Sequence, residues 1–149
     1  MDILFLWAGL AIGLAGLWVG IGEGIVANKA IKLMGKDPEM MNSLLVLTVL
    51  GIALVESAAI YGLIISLQII SLDPETFLIA QKAIGAGLAV GAAGLGAGIG
   101  EGLLVSGSLG AIQRNPAVKS KIMTFMILFL ALIESVAIYG LVIALSLLK

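Results

Sequence analysis

The spacing of its charges limits this chain's fold more than any other feature. Residues 3–28, 40–72, 83–113 and 122–148 contain no Asp, Glu, Lys or Arg apart from one glutamate each: Glu23, Glu56, Glu101 and Glu134. The segments run 26, 33, 31 and 27 residues, and about 20 apolar residues suffice to cross a bilayer. Four strands cannot close a barrel around satisfied backbone groups, so helices are the form available in lipid. The sequence therefore predicts an all-α membrane protein with four transmembrane helices. Composition excludes the other classes. Hydrophobic residues make up 61% of the chain and charged ones 11%, an apolar surface too large for a soluble monomer. A net charge of -1 offers no field for nucleic acid. With no Cys and no His, thiolate chemistry and the commonest general base are absent. No nucleophile–base pair stands out, so no catalytic residue is expected.

The start, Met1-Asp2, lacks the basic region of a signal peptide, and the first apolar stretch is too long for one. It is expected to remain as the first transmembrane helix. Six of the eight basic residues flank two connections: Lys29, Lys32 and Lys36 at the first, Arg114, Lys119 and Lys121 at the third. Basic connections are retained in the cytoplasm. The acidic middle connection, Ser71-Leu72-Asp73-Pro74-Glu75, and both termini are then expected outside. Gly35-Lys36-Asp37-Pro38 and Gln113-Arg114-Asn115-Pro116 read as tight polar turns between helices.

The second half lies on the first without a gap when Leu88 is placed on Leu10, an offset of 78 in the numbering. Residues 10–68 then fall on 88–146 with 24 identities in 59 positions. Gly20-Ile21-Gly22-Glu23-Gly24 returns as Gly98-Ile99-Gly100-Glu101-Gly102, and Glu56-Ser57 through Tyr61-Gly62 as Glu134-Ser135 through Tyr139-Gly140. The unit is a helical hairpin used twice, predicted as residues 1–72 and 73–149. Two helices per unit make the copies parallel rather than inverted repeats.

Each turn proline stands 15 residues after one glutamate and 18 before the next, roughly 22–27 Å along a helix. Folding back at the turn brings Glu23 level with Glu56, and Glu101 level with Glu134, inside the hydrocarbon. A mid-membrane acid costs about 2.5–3.5 kcal/mol on insertion scales, so four cost on the order of 10 kcal/mol. Protonated glutamates joining helices by hydrogen bonds are one reading. A shared proton or metal ion is the better one, because two close carboxylates in low dielectric cannot easily both ionise. Ser57 and Ser135 add hydroxyl oxygens, and Tyr61 and Tyr139 add phenols able to steady the carboxylates. Oxygen donors suit a hard cation such as Na⁺. Glycine follows a different logic. Gly16, Gly20 and Gly24, like Gly94, Gly98 and Gly102, recur every fourth residue, a face on which helices approach closely in lipid. The first and third helices should pack inside, with the second and fourth against lipid.

Together these residues resemble the membrane-rotor proteolipid of rotary ATPases (the c or K subunit) in its duplicated four-helix V/A-type form. The resemblance covers essentially the whole chain. It rests on the Gly-rich first helix of each hairpin, the turn with Pro38 or Pro116, and the acid of the second helix. It implies copies assembled into a ring, with Glu56 and Glu134 as ion carriers. The Na⁺ sites it implies are Glu23 with Glu56-Ser57 and Glu101 with Glu134-Ser135, supported by the Leu54 and Leu132 carbonyls and by Tyr61 and Tyr139. Many Na⁺ sites of the family add a Thr after the Ser; Ala58 and Val136 stand here. Further implied are a stator subunit with an essential Arg, a central-stalk subunit at the cytoplasmic turns, and no organic cofactor, with Na⁺ or H⁺ as the transported ion. Catalysis of ATP chemistry would lie in other subunits. The alternatives are a small cation-coupled transporter and a structural four-helix channel.

Overall fold

The computed structural model describes residues 3–72 and 77–149. The acidic middle connection around Asp73-Pro74-Glu75, the predicted boundary between hairpins, and Met1-Asp2 lie outside the described residues. Among the described residues five α-helices follow in order: α1 (Ile3–Lys36), α2 (Met41–Val55), α3 (Ser57–Ile70), α4 (Phe77–Arg114) and α5 (Lys119–Leu147). They form four spans long and apolar enough to cross a membrane, because α2 and α3 are one rod interrupted at Glu56 alone. The helices outrun the charge-free segments, taking Lys29, Lys32 and Lys36 into the end of α1. A 34-residue helix is about 51 Å long, so its basic end projects well past a hydrocarbon core of about 30 Å.

The expected turns are where helices reverse. Pro38–Met40 and Pro116–Val118 each form one 3₁₀ turn, since proline presets φ and has no N–H to leave unpaired at a helix start. Asp37 caps the first, its carboxylate accepting from Met40 N at 3.4 Å. Asn115 makes no such cap.

The halves repeat each other in packing as well as sequence. Gly62 of α3 lies on Ala11 and Ala15 of α1, and Gly140 of α5 lies on Ala89 and Ala93 of α4, equivalent positions of the repeat in every case. Between the hairpins α1 lies along α4, and α2–α3 lies beside both α4 and α5. At this seam the backbones nearly touch: a Cβ on Gly102 would stand 2.5 Å from the Gly22 backbone, and one on Gly98 2.8 Å from that of Trp18 and Val19. Apolar side chains fill the seam at both ends, with Val26, Leu44, Leu47, Val105 and Ile112 in one cluster and Ala8, Ile65, Ile69 and Val90 in another. On the fourth span Phe125, Leu132 and Ile143 are all exposed.

Backbone cannot retreat as a side chain can. Gly102→Leu is expected to cost about 3 kcal/mol of stability, read as thermal unfolding in detergent micelles. Gly35→Ala, at a glycine with nothing within 4 Å, is expected to stay within about 0.5 kcal/mol.

Candidate ion-binding site

The second glutamate pair is deeply enclosed. Glu101 on α4 is 1% exposed, and Glu134 on α5 borders the same cavity. Among the described residues, Glu101 Oε2 and both carboxylate oxygens of Glu134 are buried without a hydrogen-bond partner. Buried polar atoms are normally satisfied, so three unpartnered oxygens in one place mark a site. They border a cavity of about 310 Å³ whose other polar lining comes from the opposite hairpin: Ser57, Tyr61 and the backbone position Leu54. Tyr61 stands beside Glu134, Glu101 and Ser57. Ile127, Leu130 and Ala131 supply an apolar wall.

Ser57 Oγ donates to the Leu54 carbonyl at 2.7 Å. A hydroxyl so engaged keeps its lone pairs to offer elsewhere. The rod interruption at Glu56 falls in this stretch, between Leu54 and Ser57. α5 runs unbroken through Glu134 although the surrounding sequence is nearly the same, so the break is not a local propensity. Its position coincides with the wall of the cavity.

Ser57, from the other hairpin, lines the cavity with Glu101 and Glu134. Ser135 does not line the cavity; its Oγ donates to Leu132 O at 2.7 Å within its own helix. Leu132 and Tyr139 are 61% and 64% exposed. The reason is helical geometry. At about 3.6 residues per turn, a following residue is turned by about 100°, and one five places on by about 140°. A glutamate that points into the chain thus sends its own Ser and Tyr elsewhere. For the same reason Ser57 leaves Glu56 and joins the other pair. Glu23 and Glu56 do lie within reach of each other, as their depth predicted. Glu23 is half-buried and Glu56 exposed, and Glu23 Oε1 is buried without a partner. Nowhere among the described residues do three acidic side chains converge. A cation in the cavity would rest on two carboxylates and neutral oxygens.

A family model for the C subunit of ATP synthase matches residues 6–69 and again 84–147, two segments related by the same offset as the repeat. The chain belongs to the ATP synthase C-subunit family. Its similarity to the K subunit of the A-type ATP synthase of Methanocaldococcus jannaschii is 38% identity over 141 residues, 95% of this chain and 59% of that protein. The chain thus spans less than two thirds of that relative's length. The chloroplastic ATP synthase c subunit of Antithamnion sp. is 47% identical over 74 residues, 50% of this chain but 90% of its own. The ATP synthase c subunit of Dehalococcoides mccartyi is 52% identical over 66 residues, 44% of this chain and 87% of its own. This member carries the family's unit twice, and its described carboxylate cavity straddles the two.

The crossed arrangement has a test. Tyr61→Phe is expected to raise labelling of Glu134 by a hydrophobic carbodiimide roughly tenfold, as losing a neighbouring phenol able to steady the ionised acid by about 1.5 kcal/mol implies. Tyr139→Phe should leave Glu134 unchanged. Mass spectrometry of the labelled peptides reads both.

Proposed function

We propose that this chain is the ion-carrying rotor subunit of a V/A-type rotary ATPase or ATP synthase, each glutamate pair carrying one monovalent cation, Na⁺ in preference to H⁺. The observation that carries this reading is the cavity in which Glu101, Glu134, Ser57 and Tyr61 meet without a basic residue. Membership of the C-subunit family supports the rotor role. A site that must face lipid during rotation has to be neutral when loaded. One glutamate of the pair keeps a proton, and the charge of the other is balanced by the bound ion. All the available donors are oxygens, which favours a hard cation over a soft one.

In this reading copies assemble into a ring. The Gly-rich α1 and α4 stand inside, and α2–α3 and α5 stand outside against the lipid bilayer. An ion enters from a half-channel of a stator subunit, neutralises Glu56 or Glu134, and leaves from a second half-channel where a stator Arg favours the ionised acid. The turns around Lys36 and Arg114 lie in the cytoplasm of a cell whose membrane holds the ring, and there they meet the central stalk. Both termini and the middle connection lie on the other side. ATP is made or hydrolysed in other subunits, and neither an organic cofactor nor a catalytic residue belongs to this chain.

Carbodiimide labelling across pH, with and without Na⁺, tests the ion. Na⁺ is expected to slow labelling of Glu56 and Glu134. Labelling indifferent to Na⁺ at every pH contradicts the Na⁺ assignment in favour of protons.

A further inference from the structure

α1 and α4 end at equivalent positions of the repeat, Lys36 and Arg114, and only basic charge gathers along their last turns. Between Glu23 and Asp37, and again between Glu101 and Glu134, the chain carries no acidic residue. Lys29 reaches from α1 onto α4, its Cε lying 3.0 Å from the position a Gly110 Cβ would take. Lys29 Nζ is 3.2 Å and Arg114 Nη1 3.4 Å from that same point, so the two cationic nitrogens are at most 6.6 Å apart by the sum of those distances. Gly110 makes the meeting possible, because a side chain there would take the space that the Lys29 stem fills. Arg114 folds back along its own helix, in the direction helical side chains tilt.

Among the described residues neither cation forms an ion pair or a hydrogen bond. Like charges this close repel each other, and an anion between them turns the repulsion into attraction. The C-terminal dipole of α4 draws cations to this end, yet neither side chain bonds the last carbonyls, and both keep their donors for an outside partner.

Depth decides the kind of anion. Lys29 comes six residues after Glu23 and nine before Pro38, so it stands roughly 9 Å past that carboxylate and roughly 13 Å short of the turn. A protein seated on the turn stays out of its reach. A lysine at this level keeps its stem in hydrocarbon and carries its ammonium to the headgroup boundary. On the same face of α4 as Gly110, Leu103, Leu95 and Leu88 follow inward at spacings of seven or eight. They are 57%, 41% and 47% exposed, an apolar track for an acyl chain. Basic pockets between spanning helices are where anionic headgroups bind.

We propose that Lys29 and Arg114 clamp the phosphate of an anionic phospholipid between the ends of α1 and α4. Each donates a charge-assisted hydrogen bond of about 2.8 Å to a phosphate oxygen, and the acyl chain follows the leucine track. Gly107 stands at the position equivalent to Lys29, so the repeat does not make a second clamp within the chain. The clamp rests on the two helix ends and the track, and not on the function proposed above.

The purified assembly, titrated in detergent with phosphatidylglycerol, tests the clamp when native mass spectrometry counts the lipids retained. One lipid per chain is expected at saturation. Phosphatidylcholine, whose choline balances its phosphate, should be retained about tenfold more weakly. Lys29→Gln and Arg114→Gln should each weaken phosphatidylglycerol retention about tenfold, as losing one charge-assisted hydrogen bond implies, while Lys29→Arg keeps it. Arg114→Gln alters an exposed side chain at a helix end and reads the clamp should Lys29→Gln fail to assemble. Lys121→Gln, at an exposed lysine outside the clamp, should change retention less than about twofold. Unchanged retention in the Gln variants of Lys29 and Arg114, an equal loss from Lys121→Gln, or equal retention of phosphatidylcholine overturns the clamp. Inorganic phosphate at about 10 mM should leave the lipid in place; displacement assigns the site to free phosphate and overturns the lipid.

Discussion

A carboxylate held in hydrocarbon must be neutral or balanced, and the architecture follows from meeting that demand twice. Glu101 reaches its depth on a helix of alternating small residues, which lets α1 and α4 approach until Gly102 meets the Gly22 backbone. That approach excludes lipid from the seam and brings Ser57 and Tyr61 within reach of a pair carried by the other hairpin. Without it, three oxygens of Glu101 and Glu134 would have no polar surroundings. Close packing and the burial of these carboxylates are therefore one constraint.

Duplication gives this constraint its form. A hairpin has two sides, and the seam uses one side from each unit. The contact within a unit, Gly62 on Ala11 and Ala15 or Gly140 on Ala89 and Ala93, is the same in both. The contact between units is made once inside the chain, so each unit keeps one side unmatched. A single carboxylate pair is thereby closed within the chain while the other stays open, although their sequences are nearly identical. Ala58 and Val136, which follow Ser57 and Ser135, illustrate the difference: the first is 1% exposed and the second 47%.

Much of this was legible in the sequence because it depends on periodicity along one helix. The four spans, the proline turns and the equal depth of each glutamate pair follow from residue spacing and the fixed rise of a helix. The partners of each pair were not legible. Glu134 and Ser135 are adjacent in sequence, but a helix turns them apart, so Ser57 and Tyr61 stand in for Ser135 and Tyr139 from across the seam. A helical-wheel comparison of the two repeats would have signalled this. The interruption at Glu56 had no sequence signal, since the matching stretch around Glu134 stays helical. Nor did glycine count distinguish the face of α4 that is packed from the face of α1 that is open.

The central claim is that the two glutamate pairs hold one monovalent cation each. Equilibrium binding of radioactive ²²Na⁺ to the purified assembly tests it most directly. The account predicts saturable binding of two ions per chain, one after Glu134→Gln, and none when Glu56→Gln is added. Saturable binding that survives the double substitution, or none at any pH in the unaltered protein, would contradict it.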